Sequence, residues 1–326
     1  MMNGITNKLL VFFILSGFAV ASCRKKELPV TPPAIGDVTT TAIELSPSYQ
    51  KIAYFDLGTN TNAGEAVKTN WDLGFSCAGE TPYIILNAAK IMLAAPVTGK
   101  TFEQVTSTSN LSFKAEHPTG RMDSLAIRGG SVYVLDRGYD NSGTHMGHFK
   151  MEILEHTNLH FKGRFAKMDG SNEQTVTIEK DNNYNFVYMK WNESGTVNIP
   201  VIEPLKDTWD LVFTQYSEIF HEPEYMPYSV VGCLTNTYNT TALRVTDKAF
   251  EDINLEYAEN LILSNDRDEI GYDWKTFLYD QNIYQIHYEK VYVVKDSEGY
   301  FYKLRFIDFY NQIGEKGTPT FEYQRL

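Results

Sequence analysis

One short phrase occurs twice in this chain of 326 residues, and it limits the possible folds more than any other feature. Residues 69–75 read TNWDLGF, and residues 207–213 read DTWDLVF. Three more apolar blocks recur in the same order around the two phrases, at 52–55 and 186–189, at 132–136 and 291–295, and at 149–153 and 302–306. Four blocks in one order predict a tandem duplication, and their spacing is that of a small domain rather than of a solenoid unit. We therefore expect two copies of one module, at residues 46–182 and 183–326.

The repeated blocks have the pattern of β-strands. Apolar residues alternate with polar ones at 149–153 and again at 302–306, which is the period of a half-buried strand. The chain also contains 21 Tyr and 19 Phe, and aromatic side chains favour pleated surfaces. Short helices are predicted only at 65–68, 88–95 and 248–258. The predicted fold class is therefore all-β, with two related antiparallel modules, each a sandwich or an incomplete barrel.

The Trp-Asp pair of each phrase has a predicted structural role. A Trp on a strand buries a large apolar surface, while the neighbouring Asp points to the other side and accepts hydrogen bonds from turn amides. Cys77 and Cys233 follow the two phrases at related positions. They could form a disulfide in an oxidising compartment, but two buried free thiols are the preferred interpretation.

The first 22 residues have the features of a signal peptide. Lys8 provides a basic start, residues 9–20 form a mostly apolar run, and residues 20–23 (VASC) form a small-residue cleavage site that ends in Cys. The apolar run is too short to span about 30 Å of hydrocarbon. The pattern resembles a bacterial lipoprotein signal and predicts lipidation of Cys23. Residues 23–45, which are basic and then rich in Pro and Thr, predict a flexible tether.

The charge balance and the missing motifs limit the function. The chain has 41 acidic and 29 basic side chains, a formal net charge of −12. Such a field repels phosphate backbones, so nucleic acid is not a predicted partner. The sequence has no Gly-rich phosphate loop, no Gly-x-Ser-x-Gly elbow and no His-Glu-x-x-His motif. The prediction is therefore a protein that binds and does not catalyse.

A family resemblance agrees with these features. The repeated Trp-Asp-Leu strand, the Val-Tyr-Val-Val strand at 291–294 and the closing run at 302–323 resemble the HmuY-like lipoproteins. Those are outer-membrane-anchored, all-β proteins best known as haemophores, and the second repeat carries the resemblance most fully. It implies a lipoprotein of the cell envelope that binds haem, takes part in haem and iron capture, and passes haem to an outer-membrane transporter. The implied partners are haem or a haem-carrying protein and a TonB-dependent outer-membrane receptor.

The resemblance also implies where haem binds. In haem-binding members the porphyrin lies between finger-like β extensions and is held by histidines or methionines, and the corresponding interval here is 214–290. A haem site needs an apolar slot, soft or imidazole ligands, and cations for the propionates. The candidate ligands in this interval are His221, Met226 and His287. The candidate pocket residues are Tyr216, Phe220, Tyr225 and Tyr284, with Lys290 as a partner for a propionate. The alternative is that these side chains pack an ordinary long hairpin.

A second group of residues competes for a metal or for haem iron. Four of the seven histidines lie close together in the first repeat, and imidazoles at this density can bind Zn, Cu or haem iron. They are His145, His148, His156 and His160. The alternative is that they lie on solvated strand faces. At the level of function, the alternative is a structural or adhesive envelope lipoprotein of the same fold that binds glycan or protein instead of haem.

Overall fold

The computed structural model describes residues 36–77, 81–130, 132–192 and 194–326. The predicted signal peptide, Cys23 and most of the predicted tether lie outside the described residues. Within the described part of the chain, no helix combines the length and apolar character needed to cross a membrane.

The described chain is nearly all-β, as predicted. Its only other regular elements are three single 3-10 turns, Ala88–Lys90, Met122–Ser124 and Phe250–Asp252, and one short α-helix, Leu255–Glu259. The strands in chain order are β1 (Thr39–Ala42), β2 (Lys51–Asp56), β3 (Thr61–Val67), β4 (Leu73–Ser76), β5 (Ile84–Leu86), β6 (Leu93–Val97), β7 (Lys114–Ala115), β8 (Val132–Asp136), β9 (His148–His156), β10 (His160–Lys167), β11 (Gln174–Glu179), β12 (Phe186–Trp191), β13 (Val197–Asn198), β14 (Leu211–Phe220), β15 (Met226–Thr235), β16 (Thr241–Val245), β17 (Lys275–Leu278), β18 (Ile283–Ile286), β19 (Val291–Lys295), β20 (Phe301–Tyr310) and β21 (Lys316–Arg325).

Two larger antiparallel sheets contain the later blocks of the two predicted repeats. The first has the order β11-β10-β9-β8-β6-β7, and the second has the order β1-β21-β20-β19-β16. Strand β1 comes from the segment predicted as tether, but it pairs with β21 along its whole length. Ile43 and Leu45, which follow it, are buried in the core of the second sheet. Residues 39–45 therefore belong to the fold instead of the tether, because their apolar side chains complete that core.

Two smaller sheets combine strands from both halves of the chain. Their orders are β13-β12-β4-β5 and β15-β14-β2-β3. The strand before each Trp-Asp phrase thus pairs with the strand of the other phrase, with Val187 opposite Phe75 and Val212 opposite Tyr54. The boundary between residues 182 and 183 stays a prediction about sequence repeats. In the fold, the described residues pack as one compact unit.

The two tryptophans meet in a shared core between the small sheets. Trp71 packs edge-on against Tyr188 at 4.9 Å between ring centroids, and Trp209 packs against Tyr54 at 4.8 Å. The interplanar angles are 72° and 73°. Both indoles are buried, so the predicted role as core anchors is confirmed.

The two aspartates make matching hydrogen bonds with the opposite half of the chain. Asp72 Oδ2 accepts the backbone N–H of Trp191 at 2.7 Å, and Asp210 Oδ2 accepts that of Leu57 at 2.9 Å. Asp210 therefore caps the turn that follows β2, as predicted, and Asp72 caps the last residue of β12.

The charges around these aspartates differ. Asp72 is fully buried and pairs with Lys90 and, at 3.5 Å, with Arg137. Asp210 has the nearby acid Asp296 instead of a paired cation. Burial, and to a lesser extent this neighbouring acid, raises the pKa of Asp210 to about 7. The first phrase thus has cations that compensate its buried carboxylate, whereas in the second phrase burial favours the protonated form of the carboxyl group.

The predicted short helices are only partly present. Residues 65–67 are strand, because β3 pairs with β2 there. The segment 88–95 gives one 3-10 turn and then strand β6, and 248–258 gives a 3-10 turn and most of the α-helix. Cys77 and Cys233 are buried and free, as expected.

Candidate functional site

A cleft lies between two hairpins of the second half of the chain. Strands β14 and β15 pair over ten residues each and form a long hairpin, and β17 and β18 form a shorter one. The cleft between them has a volume of about 410 Å³, within the usual range for a small-molecule site. It lies in the interval in which the resemblance placed the haem site.

Aromatic side chains form the walls of this cleft. They are Tyr228 on β15 and, from the other side, Tyr272, Phe277, Tyr279 and Tyr284, with Tyr49 contributed from the start of the chain. Phe277 lies opposite Tyr284 in the β17–β18 register, and their rings are 5.0 Å apart. Phe277 also packs edge-on against Tyr279 at 5.0 Å. The cleft is therefore lined mainly by aromatic rings inclined to one another, and phenol hydroxyls are available for polar contacts.

A buried lysine also lines the cleft. The Lys275 ammonium donates a hydrogen bond to the Val231 carbonyl. It lies 4.0 Å from the centroid of the Trp274 ring and 4.7 Å from that of Phe309. Burial lowers the pKa of Lys275 to about 7, because removal from water penalises the charged form. The cleft thus contains an amine whose protonated form a bound anion would favour.

Two of the predicted pocket residues line the cleft. Tyr284 is one, and its backbone N–H donates to the Tyr310 hydroxyl at 2.6 Å. Lys290 is the other, and its ammonium donates to the Asp273 carbonyl at 2.7 Å and pairs with the Asp273 carboxylate at 2.5 Å. Lys290 is therefore already neutralised by a neighbour, unlike Lys275.

The other predicted pocket residues lie outside the cleft lining. Tyr216 is buried in the core between the small sheets, where it is not available as a wall of this cleft. Phe220 is exposed near the tip of the long hairpin, where its ring is 5.6 Å from that of Tyr228. Tyr225 is exposed at the same tip, and its hydroxyl accepts the backbone N–H of Ala115 at 2.9 Å. Alternation along β14 explains the position of Tyr216, because the neighbouring Gln215 lines the cleft and successive side chains point to opposite faces.

The three predicted ligands are likewise not among the residues that line the cleft. His221 and Met226 are exposed at the tip of the long hairpin. His287 is half-buried, with Nε2 at 2.8 Å from the Thr276 hydroxyl and Nδ1 at 3.4 Å from Glu289. Their roles as ligands stay predictions.

Lys275 was missed by sequence reasoning, although a signal for it exists. Lys275, Phe277 and Tyr279 alternate along and just beyond β17, so they point to one face of the strand. A lysine in such an aromatic row indicates an amine held against apolar surface.

The four histidines of the first repeat do not form one group. His145 and His148 lie together and share the carboxylate of Asp136. His156 packs edge-on against Phe161 at 5.5 Å, and burial lowers its pKa to about 4. His160 pairs with Glu155 at 3.3 Å. The predicted group is thus reduced to two imidazoles, with an acid that the sequence reasoning missed.

The described chain thus combines a nearly all-β fold with an aromatic-lined cleft between two hairpins. A model of the HmuY protein family matches residues 48–323. The chain therefore belongs to the HmuY protein family, which confirms the resemblance, and the match runs across both predicted repeats.

Three solved structures resemble the chain at low identity. Apo PinO from Porphyromonas gingivitis is 11% identical, with 89% of this chain and 97% of that chain covered and a TM-score of 0.34. A protein from Bacteroides vulgatus, whose name describes it as HmuY-like and heme binding, is 12% identical over 88% and 90%, with a TM-score of 0.24. The apo HmuY analog from Tannerella forsythia is 13% identical over 89% and 97%, with a TM-score of 0.21. Among curated proteins, none matches this chain.

Proposed function

We propose that this protein is a lipid-anchored, non-catalytic haem-binding protein of the cell envelope that takes part in haem capture and transfer to an outer-membrane transporter. The observation that carries the proposal is membership of the HmuY family over residues 48–323. The proposed haem site is the cleft between the β14–β15 and β17–β18 hairpins. Haem is the cargo of this site, and the protein supplies the slot, the ligand and the charge.

The chemistry of the cleft suits a porphyrin. Aromatic side chains from both hairpins offer apolar surface to a macrocycle, and a volume of about 410 Å³ open to solvent admits part of a haem with its edge exposed. Lys275 suits a propionate, because a carboxylate beside it would favour the charged ammonium and offset the free-energy cost of burying that charge.

The donor set of the cleft favours tyrosine as the ligand. Among the described residues that line it, none is His or Met. A Tyr phenolate is an established axial ligand of haem iron. Hydrogen bonding to Tyr279 raises the pKa of Tyr228. A hydroxyl of Tyr228 that donates towards Tyr279 would stabilise a phenolate there. We therefore place the ligand at Tyr279 and its supporting donor at Tyr228.

An absorbance titration of residues 24–326 with ferric haem tests the proposal. A saturable Soret change at one equivalent is expected, lost in Tyr279→Phe and weakened in Tyr228→Phe. Tyr288→Phe is the matched control, because Tyr288 is 58% exposed and lies outside the cleft lining.

The same titration on His221→Ala, Met226→Ala and His287→Ala compares the two sets of ligands. Loss of the Soret change in one of these three, with Tyr279→Phe unaffected, would refute the tyrosine ligand and support the sequence-based one. A flat titration of the unaltered protein would refute haem binding itself.

One observation favours glycan binding as the second candidate function. The cleft presents tyrosines to solvent without an imidazole or thioether, and Tyr279 is 77% exposed. Exposed aromatic rings also stack on sugars. Calorimetric titration against a glycan panel, with Tyr279→Ala as the negative control, separates this function from haem binding.

A further inference from the structure

Three potential metal ligands converge at one end of the β8–β9 hairpin in the first half of the chain. One ligand atom from each of Asp136, His145 and His148 lies within 4.8 Å of the other two. Nε2 of His145 is 2.7 Å from Asp136 Oδ1, and Nε2 of His148 is 3.4 Å from Asp136 Oδ2. The two imidazole rings are 5.3 Å apart and inclined at 58°. Two nitrogens and one carboxylate therefore face a common point.

The strand register produces half of this arrangement. Asp136 ends β8 and His148 begins β9, and the two residues are directly opposite each other in the antiparallel ladder. Directly opposite side chains on such a ladder lie on one face of the sheet and are close neighbours. A carboxylate and an imidazole are thus held together by backbone pairing and do not depend on a flexible loop.

The connecting loop brings in the third ligand, and it is tightly bonded within itself. Asp140 Oδ1 accepts the backbone N–H groups of Ser142 and Thr144, each at 2.8 Å. At the start of the loop, Gly138 has φ of +64°, and a Cβ there would lie 1.9 Å from the Lys90 carbonyl oxygen. Only glycine fits such a position. The path of the loop, and hence the position of His145, is therefore set by its own contacts.

The carboxylate is also oriented. Asp136 Oδ1 accepts the Gly138 N–H at 2.8 Å as well as facing His145. His145 Nδ1 accepts the Gly147 N–H at 3.3 Å, which places the proton of the neutral ring on Nε2. A metal bound at Nε2 would displace that proton to Nδ1 or to solvent.

We propose that Asp136, His145 and His148 bind a divalent transition-metal ion. Imidazole nitrogens with one carboxylate suit Zn²⁺, Fe²⁺, Co²⁺, Ni²⁺ or Cu²⁺ and not Mg²⁺ or Ca²⁺, which prefer oxygen ligands. The three side chains are 19% to 39% exposed, which leaves coordination positions open to water or an external ligand. The site uses the first large sheet and none of the residues that line the cleft, so it does not depend on the proposed haem function.

Titration of residues 24–326 with Co²⁺, followed by its visible absorption bands, and with Zn²⁺ by calorimetry tests the proposal. One equivalent of each ion is expected to bind. Loss of a ligand is expected to reduce the affinity by about 100-fold or more in His148→Ala and in Asp136→Asn, since even supporting residues of metal sites contribute about 10–100-fold. Asp136→Asn keeps an oxygen for the Gly138 N–H and so preserves the loop.

The matched control is His160→Ala. His160 lies on the same sheet and also faces a carboxylate, at 3.3 Å from Glu155, but among the described residues it belongs to no group of three potential ligands. The proposal would be overturned if His148→Ala and Asp136→Asn both kept the metal affinity of the unaltered protein. It would also be overturned by an equal loss of affinity in His160→Ala, or by the lack of stoichiometric binding in the unaltered protein. Tyr279→Phe is expected to bind Zn²⁺ normally, so failure of the haem proposal and failure of the metal proposal are distinguishable.

Discussion

Asp72→Asn and Asp210→Asn change equivalent positions of the two Trp-Asp phrases, and we expect them to change stability in opposite directions. At Asp210 the pKa is raised from 3.8 to about 7, mainly by burial, which corresponds to about 4 kcal/mol. Between these two values the unfolded chain has lost the proton and the folded chain retains it. The free energy of unfolding therefore falls as the pH rises through this range, by up to this amount.

Asparagine at position 210 removes this penalty and keeps the hydrogen bonds. Its oxygen can still accept the Leu57 N–H, which donates to the aspartate at 2.9 Å. Its amide can donate to the Thr240 hydroxyl, which lies 3.5 Å from the aspartate Oδ1. Relative to the unaltered protein, Asp210→Asn is expected to be neutral near about pH 4 and more stable by up to about 4 kcal/mol near about pH 8.

Asp72→Asn is expected to lower the free energy of unfolding. Its carboxylate pairs with the fully buried Lys90, so the amide leaves a buried ammonium without its counter-ion. Removal of one partner of a buried pair costs about 3–5 kcal/mol. This loss is expected at both pH values, because Arg137 and Lys90 both lose the carboxylate that they face.

Denaturant unfolding of both variants at the two pH values measures these effects. Each variant serves as the control for the other, because both carry the same Asp→Asn substitution at equivalent positions of the two Trp-Asp phrases. A stability change in Asp210→Asn that is the same at both pH values would refute the burial argument. An unchanged free energy of unfolding in Asp72→Asn would refute the ion-pair argument.

Three further predictions follow from individual contacts. Trp209→Ala removes a buried ring that packs on Tyr54 and is expected to cost about 3–5 kcal/mol in a denaturant melt; a loss below about 1 kcal/mol would contradict its role as an anchor. Lys275→Met is expected to raise the free energy of unfolding by at most about 5 kcal/mol below about pH 7, because the lysine pKa falls from 10.5 to about 7 on folding. The gain should shrink as the pH rises towards 10.5, and a gain that does not depend on pH would contradict this reasoning. Gly138→Ala is expected to lower both the melting temperature and the Zn²⁺ affinity, since the added Cβ meets the Lys90 carbonyl. Gly143→Ala is the control: its Cβ would meet nothing within 4 Å, but its φ is also positive, so it measures the backbone strain without the clash.

Local pattern explains which parts of the fold were predictable. Alternation identified β9 and β20, and the Trp-Asp pairs were correctly assigned to the core and to amide capping. These properties depend on the period of a strand and on the chemistry of one or two side chains. The family followed from the same strand motifs.

The candidate sites were harder to predict, because their residues are neighbours only in space. Asp136 was absent from the predicted metal-binding residues, although the pairing of β8 with β9 sets it opposite His148. In the cleft, the aromatic density of the interval 214–290 was visible, but Tyr216 faces the central core and Lys275 faces the cleft. Which face of a strand is covered depends on the packing of other segments, and the strand sequence alone does not encode it.

By itself, the sequence determined the β-rich class, the two Trp-Asp anchors and the family, because short-range periodicity and residue type are sufficient for each. Only the tertiary structure decided that β2 pairs with β14 and β4 with β12, so that each half completes a sheet of the other. It also decided that Asp72 has a buried cation 18 positions along the chain, while Asp210 has another acid. The physical reason is the same in both cases: strand partners and counter-charges come from distant segments, and long-range packing selects among pairings that are locally equivalent.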